Sequence, residues 1–243
     1  MRLNKYLAQA GIASRRQADQ LIAAGRIRVN GQLVTALGSV VGPDDAVEVA
    51  GEAVAAPEPA TVYLLHKPKG VISAASDNRG RKTVVDLVRD KRRLYPVGRL
   101  DRDTTGALLI TNRGDLTYRL THPRFGIARH YLAEVRGQLP SEARQALQAG
   151  LRLKDGVRVQ AKIRKLARQG KRTLYEVVLT EGKNREIKRI FRHYELPLLR
   201  LHRASFAGLE VDHLAPGKYR RLRPAEVQAL YRQAEVKKPE QLV

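Results

Sequence analysis

A stretch without hydrophobic periodicity divides the chain into two parts. Residues 51–60 read GEAVAAPEPA and are rich in Ala, Pro and Glu, a composition typical of a linker of intermediate stiffness. The chain has 243 residues, of which 43% are apolar, enough for one small and one medium-sized folded part. We therefore expect one domain, including its linker, over residues 1–58 and a second over residues 59–243.

The first part has the pattern of two helices followed by a β-hairpin. Apolar residues recur at helical spacing over residues 3–10, and Ser14 followed by Gln17 forms a capping box for a second helix. Polar and apolar residues then alternate on both sides of Asn30-Gly31, a pair suited to a two-residue type I′ turn. The sequence thus predicts a small domain of helices plus a β-hairpin.

The second part mixes strand-like and helical segments. Strand-like runs cover residues 62–65, 107–111, 131–135 and 175–179, whereas residues 141–149 have a helical pattern. Their irregular spacing argues against repeated strand-helix crossovers and favours an α+β domain, with a largely antiparallel mixed sheet flanked by helices. A basic run surrounds Gly170, which indicates a turn between two strands or, equally, an ordinary solvated loop. It consists of Arg164, Lys165, Arg168, Lys171 and Arg172.

The net charge indicates the kind of partner. With 46 Lys and Arg against 24 Asp and Glu, the chain has a formal charge of +22, which is self-repelling unless a polyanion lies nearby. Both nucleic acid and an anionic membrane would attract this charge. No apolar run approaches the roughly 18 residues that a membrane-spanning helix needs, so nucleic acid is the expected partner. A solvated basic face would give the same pattern in the first part. The candidate nucleic-acid-binding residues there are Lys5, Arg15, Arg16, Arg26 and Arg28.

Cysteine and histidine usage limits the chemistry. The sequence contains no cysteine, and its six histidines show no metal-ligand spacing. Disulfides, thiolate catalysis and cysteine-ligated zinc are therefore excluded, and we expect a reaction without a metal. The first eleven residues have polar residues between their leucines and lack a signal-peptide pattern. We expect a cytoplasmic protein.

Two acids and two bases lie in one polar segment before an apolar strand. Residues 98–106 read GRLDRDTTG and are followed by ALLI, and loops that lead into a sheet often carry catalytic groups. Within this segment Asp101 stands between Arg99 and Arg102. From the residues alone, the arrangement is equally well explained as a structural ion pair.

Longer segments of the chain resemble known RNA enzymes. The stretch GRLDRDTTGALLITNRGDL resembles the signature of the RsuA-like family of bacterial ribosomal RNA pseudouridine synthases, and Arg129-His130-Tyr131 and EGKNREIKRI follow in the family's order. HKPKGVIS and PGKYRRL extend the resemblance over nearly the whole chain. In the first part, SRRQADQLIAAGRIRVNG is similar to the alpha-L, or S4-type, RNA-binding domain.

The resemblance implies an isomerase that breaks the glycosidic bond of a uridine, turns the uracil within its pocket and rejoins it to the ribose through carbon 5. By the same resemblance Asp101 is the catalytic carboxylate, acting either as nucleophile or as base toward the ribose. Lys188 occupies the family position of its basic partner, with Arg185 and Arg189 as alternatives. Tyr131 is expected to pack against the target uracil.

Such a reaction requires the enzyme to bind the RNA and to expose the target base. A uridine within folded RNA reaches a pocket only after it is flipped out, and Arg99 is our candidate for assisting that step. With three Phe and no Trp, a platform that stacks many bases is not expected, so recognition should depend on RNA shape and backbone charge. Phosphate contacts are expected from Lys67, Lys69, Lys183, Arg185 and Arg189, each of which is also explained as a replaceable surface charge.

Two positions depart from the family pattern. Glu186 stands where the family commonly has Gln, and Arg129 stands where it commonly has Lys. The tract over residues 181–222 resembles the large-subunit-modifying branch more closely. The expected substrate is therefore large-subunit (23S) ribosomal RNA, free or in a ribosome-assembly intermediate. We expect a monomer without a small-molecule cofactor.

Three alternatives stay open at this point. The same reaction on small-subunit (16S) ribosomal RNA would differ only in specificity loops. A non-catalytic ribosome-assembly factor with the same fold would not need Asp101. A glycoside hydrolase could use Asp101 and Asp103 as its two carboxylates, although the surrounding arginines suit a polyanion better than a neutral sugar.

Overall fold

Two units make up the described part of the chain. The computed structural model describes residues 1–55 and 59–235. The first unit contains the described residues of Met1–Ala60 together with Lys91–Arg93, and the second contains those of Thr61–Asp90 and Leu94–Val243. The predicted boundary at residue 58 lies outside the described residues, so the division into residues 1–58 and 59–243 stays a prediction.

Two short helices form in the first unit where the apolar spacing predicts them. They are α1 (Leu3–Gln9) and α2 (Arg15–Ala23). At the start of α2, the Ser14 hydroxyl accepts a hydrogen bond from Gln17 N at 3.2 Å, and Gln17 Oε1 accepts one from Ser14 N at 3.0 Å. This capping box satisfies amide groups that a first helical turn leaves without partners. The helices bury Leu3, Leu7, Ala18 and Ile22 in a small core.

A four-stranded sheet completes the first unit. Its strands are β1 (Ile27–Val29), β2 (Gln32–Val34), β3 (Val47–Val49) and β4 (Glu52–Ala53), in the order β2-β1-β3-β4. Asn30 and Gly31 have φ of 51° and 76°, as a type I′ turn requires. The linker prediction is wrong for its first residues. Ala50 and Gly51 also have positive φ, 52° and 87°, and reverse the chain so that β4 pairs with β3.

The second unit contains eleven strands, four α-helices and two 3-10 helices (Val85–Leu87 and Pro123–Phe125) within its described residues. The strands are β5 (Val62–Lys67), β6 (Tyr95–Pro96), β7 (Thr105–Thr111), β8 (Arg129–Arg136), β9 (Leu151–Arg152), β10 (Arg158–Val159), β11 (Lys162–Gln169), β12 (Arg172–Leu179), β13 (Leu198–Phe206), β14 (Leu209–Glu210) and β15 (Tyr219–Arg221). The helices are α3 (Gly114–Thr121), α4 (Ala143–Ala149), α5 (Glu186–His193) and α6 (Pro224–Gln233). In the described ranges, no helix of either unit is long and apolar enough to span a membrane.

One mixed sheet of nine strands organises the second unit. Its strand order is β11-β12-β8-β13-β7-β5-β15, with β14 beside β13 and β6 beside β7. Its ladders are antiparallel except for that between β13 and β7. Apolar residues of α4 and α5 belong to one core cluster and those of α3 and α6 to another. The predicted α+β class, with a largely antiparallel mixed sheet flanked by helices, is confirmed.

Two smaller predictions concern strand ends. The basic run around Gly170 is the predicted turn, because β11 ends and β12 begins on either side of it. Tyr131 is the third residue of β8 rather than the first, since the strand already begins at Arg129. Burial alternates along β8, and Tyr131 lies on the buried side with Ala133 and Val135, as expected for a half-covered strand.

The parallel contact between β7 and β13 depends on a glycine. Gly106 has a φ of 113°, and a Cβ at this position would lie 2.1 Å from Arg203 O. A side chain there would collide with backbone, which cannot move aside without breaking the ladder. Gly106 therefore allows the strand after the Asp101 segment to lie directly against β13.

Candidate active site

The segment before β7 is held on both sides of Asp101. The Ser73 hydroxyl accepts a hydrogen bond from Leu100 N at 3.1 Å and donates one to Leu100 O at 2.9 Å. On the other side, Thr104 N donates to Asp101 O at 3.1 Å, and Lys67 Nζ donates to Thr104 O at 2.9 Å. These bonds fix the backbone that presents the Asp101 carboxylate, as a catalytic group requires.

Lys188, on α5, contacts two carboxylates. Its Nζ lies 2.8 Å from Asp101 Oδ2 and 2.5 Å from Asp103 Oδ1, and its side chain is 12% exposed. The hydrogen bond from Lys188 lowers the pKa of Asp103 below its ordinary value. Of the two alternative partners, Arg185 lies 3.9 Å from Asp101, and Arg189 pairs with Asp155 at 3.2 Å. Of the three candidates, Lys188 therefore lies closest to Asp101.

A cavity of about 160 Å³ opens beside Asp101. Its lining includes Arg99, Asp101, Tyr131, Lys183, Arg185 and Lys188 from the sequence prediction, together with Thr104, Arg129, Glu186 and Arg203. The four residues predicted to be catalytic, Asp101, Tyr131, Lys188 and Arg99, thus lie around one space. Such a concave space with a few convergent polar groups is typical of an active site.

Arg203 is a cavity residue that the sequence interpretation missed. It is 2% exposed; its Nε donates to Ala107 O at 2.6 Å, and its Nη1 lies 3.5 Å from the Tyr131 hydroxyl. The guanidinium also faces the ring of Phe206 at 4.7 Å. No local pattern marked it, because Leu201, Arg203 and Ser205 are recognised as the inward face of β13 only once the strand is placed in the sheet.

Two buried charged residues form another wall of the cavity. Arg129 donates to Leu120 O and Ile127 O, both at 3.1 Å. Glu186 is 3% exposed, and its Oε2 accepts a hydrogen bond from Lys183 N at 3.0 Å. Burial raises the pKa of Glu186 to about 7. Its Oε1 has no hydrogen-bond partner in the described part of the chain.

The prediction that Lys67 contacts a phosphate is wrong. Its side chain is fully buried, and Nζ donates to Pro68 O at 3.1 Å as well as to Thr104 O. Burial lowers its pKa to about 8. An ammonium group that is enclosed and already bonded to two carbonyl oxygens does not reach a phosphate. Its position supports the Asp101 segment instead.

The other predicted phosphate ligands differ in their surroundings. Lys69 is exposed, as is Arg99, the candidate for base flipping, and both line a depression that includes Asp101 and Arg185. Lys183 Nζ instead bonds to Arg158 O at 2.6 Å and to Glu181 at 2.5 Å.

Four of the five predicted RNA-binding residues of the first unit are exposed. Lys5 is half-buried, whereas the four arginines lie at the surface. Arg15 donates to Asn4 Oδ1 at 3.4 Å, and Arg28 donates to Gly31 O at 2.8 Å. Arg16 and Arg26 are exposed on the same unit. Exposed guanidinium groups on a small folded unit are suited to phosphate contacts.

The geometry permits carboxylate chemistry in a partly enclosed site. Asp101 can act as nucleophile or base, Lys188 compensates its charge, and Tyr131 offers an aromatic wall. In the ranges that the structure describes, no group of three or more His, Asp or Glu side chains could hold a metal ion.

Comparisons with known proteins agree with this geometry. Residues 61–193 match the family described as RNA pseudouridylate synthase, and residues 1–47 match the S4 domain. The chain is 42% identical over 232 residues to ribosomal large subunit pseudouridine synthase B of Bacillus subtilis, covering 94% of this chain and 95% of the relative. It is 31% identical over 234 residues to the dual-specificity RNA pseudouridine synthase RluF of Escherichia coli, covering 96% and 79%. A crystal structure of a pseudouridylate synthase aligns with a TM-score of 0.66 and 25% identity, over 95% of this chain and 99% of that one.

Proposed function

The chain belongs to the RNA pseudouridylate synthase family, and from that membership we propose that it converts a specific uridine of large-subunit ribosomal RNA to pseudouridine. The observation that carries the proposal is the placement of Asp101 in a cavity, with Lys188 Nζ 2.8 Å from its carboxylate. A structural ion pair would not require an adjoining cavity of about 160 Å³. A non-catalytic assembly factor would not require the carboxylate.

Asp101 acts at the ribose of the flipped uridine. The bond between C1′ and N1 breaks, and its electron pair remains with the uracil. Asp101 either adds to C1′ or removes a proton from the ribose, and the geometry is compatible with both routes. After the uracil turns, C5 bonds to C1′ as the bond between Asp101 and C1′ breaks or, on the other route, as Asp101 returns the proton to the ribose. The hydrogen on C5 leaves as a proton and N1 gains a proton, so the product is an isomer of the substrate.

The neighbouring side chains position the base and balance charge. Lys188 offsets the negative charge of Asp101 when RNA closes the site and excludes water, where an unpaired carboxylate would be costly. Tyr131 packs against the uracil in the cavity. Arg99, exposed at the mouth, assists the flipping of the nucleotide, a step that costs a few kcal/mol.

Large-subunit RNA is the substrate that the comparisons support best. The Bacillus subtilis relative, named for the large ribosomal subunit, is 42% identical and covers nearly the whole chain. The exposed arginines of the S4-type unit, Arg15, Arg16, Arg26 and Arg28, then hold RNA through its phosphates, with Lys5 beside them. A cytoplasmic location, action as a monomer and a reaction without metal or small-molecule cofactor complete the proposal.

Mapping of the modified nucleotide tests the proposal. Wild-type protein and Asp101→Asn are incubated with unmodified large-subunit and small-subunit ribosomal RNA, and pseudouridines are located by carbodiimide labelling and primer extension. We expect one new stop, in the large-subunit RNA and with the wild type alone. A stop in the small-subunit RNA would refute the substrate assignment. Binding of both RNAs without any new stop would favour the assembly-factor alternative.

A further inference from the structure

A second, larger groove of about 510 Å³ lies next to the catalytic cavity. It shares Arg185, Lys188 and Leu201 with the cavity lining, and Asp103 forms part of its wall. Its other lining residues are Lys69, Arg192, Glu195, Leu196, Pro197, Leu198, Leu199 and Arg200. The groove and the catalytic cavity therefore adjoin at these shared residues.

The register of β13 explains why the groove is open. On one side β13 pairs with β8 along most of its length, but on the other side it pairs with β7 only at His202 and Arg203. Residues 198–201 therefore extend past the beginning of β7, and their outer edge faces the Asp103 segment. Leu199 on this edge is 40% exposed. The result is a trough beside Asp103 that is lined in part by the apolar residues 196–199.

The charges along the trough are mostly positive. Within the described residues, the exposed side chains of Lys69, Arg192 and Arg200 form no ion pair. Both acids in its wall have a cationic partner, because Asp103 shares Lys188 with Asp101 and Lys154 binds Glu195 at 2.8 Å. Unpaired cations beside apolar side chains suit an RNA strand, whose phosphates are negative and whose bases and riboses offer apolar faces.

We propose that this groove binds the RNA strand that continues from the target uridine, with Arg192 and Arg200 contacting phosphates and Leu199 contacting a neighbouring base or ribose. The inference rests on the proposed function, because it requires a uridine in the cavity. The size of the groove agrees with the assignment, because about 510 Å³ lies in the range of roughly 300–1,000 Å³ typical of small-ligand sites.

Salt-dependent binding tests this assignment. The probe is a transcript that carries the mapped uridine, and the variants are Arg192→Gln/Arg200→Gln and a control, Arg221→Gln/Arg232→Gln. The control removes the same charge from exposed positions on β15 and α6, outside the groove and the cavity. Loss of two single-strand phosphate contacts should reduce the slope of log K against log salt by about 1.4. We expect this change in the groove variant, together with a higher KM and a nearly unchanged kcat.

The possible results separate the inference from the function on which it rests. If wild-type protein makes no pseudouridine in any RNA, the proposed function fails. If pseudouridine forms but both double variants retain the wild-type slope and KM, the groove does not bind the RNA strand. Impaired modification of ribosomal particles with unchanged modification of the transcript would also contradict RNA as the occupant.

Discussion

Replacement of Glu186 by Gln tests the electrostatics of the cavity. Glu186 is 3% exposed, and burial raises its pKa to about 7. Because the pKa of this acid is higher in the folded than in the unfolded chain, the folded protein holds more protons between the two values. Its stability therefore falls as the pH rises from about 4.5 to about 7. Gln has nearly the same shape and no charge, so Glu186→Gln removes this effect.

The expected magnitude follows from the pKa change. A rise from the ordinary value of 4.5 to about 7, at about 1.36 kcal/mol per pKa unit, corresponds to about 3 kcal/mol of destabilisation above both values. At pH 5, where most of the folded-state carboxyl groups remain protonated, the effect is below about 1 kcal/mol. Relative to wild type, Glu186→Gln should therefore gain about 2 kcal/mol or more between pH 5 and pH 8.

Urea unfolding of both proteins at pH 5 and pH 8, followed by circular dichroism, measures this difference. Changes in packing affect both pH values equally and cancel, whereas the hydrogen bond from Lys183 N favours the ionised form and is already contained in the pKa of about 7. A stability difference between the two proteins that is the same at pH 5 and pH 8 would refute the reasoning, and it would mean that Glu186 is ionised at little cost.

Three further substitutions have defined outcomes. Lys188→Met leaves Asp101 and Asp103 without their shared cation and should lower kcat by about 100-fold or more. Lys188→Arg keeps the charge and should retain part of the activity. Equal activities of the two variants in steady-state assays would contradict a role for the charge. Gly106→Ala should abolish soluble folded protein, because its Cβ would lie 2.1 Å from backbone. The control Gly170→Ala has nothing within 4 Å of its Cβ and should lose only about 1 kcal/mol of stability. Equal losses of stability in thermal unfolding would contradict the packing argument. Lys67→Met leaves Thr104 O without its donor and should cost about 1–3 kcal/mol. Since the folded-state pKa of Lys67 is lowered to about 8, the stability deficit of Lys67→Met in urea unfolding should grow as the pH rises from 8 to 10, and a constant deficit would contradict the lowered pKa.

Local patterns predicted the elements whose signals lie close together in the sequence. The capping box at Ser14, the turn at Asn30 and Gly31, and the turn at Gly170 each depend on a few neighbouring residues, and each forms as expected. The sheet class followed from irregular spacing and was confirmed. The second pair of strands in the first unit was missed, because β4 has two residues and lies in a segment whose composition is that of a linker.

The features that could not be predicted from the sequence depend on tertiary contacts. Lys67 has the same sequence surroundings as a surface lysine, and only the pairing of β5 with β7 encloses it. Asp103 and Lys188 are 85 residues apart, so their contact could not be read from spacing. Resemblance to a family brought Asp101, Tyr131 and Lys188 together in advance, whereas Arg203 required the sheet register, which places it opposite Tyr131.

Release of tritium from RNA labelled at carbon 5 of uridine is the most direct test of Asp101 as the catalytic carboxylate. Isomerisation replaces the C5–H bond by a C5–C1′ bond, so each turnover transfers one labelled hydrogen to water. We predict release by wild-type protein, reduced release by Asp103→Asn, and background release by Asp101→Asn, with RNA binding retained in all three. Release by Asp101→Asn at the wild-type rate would contradict the account.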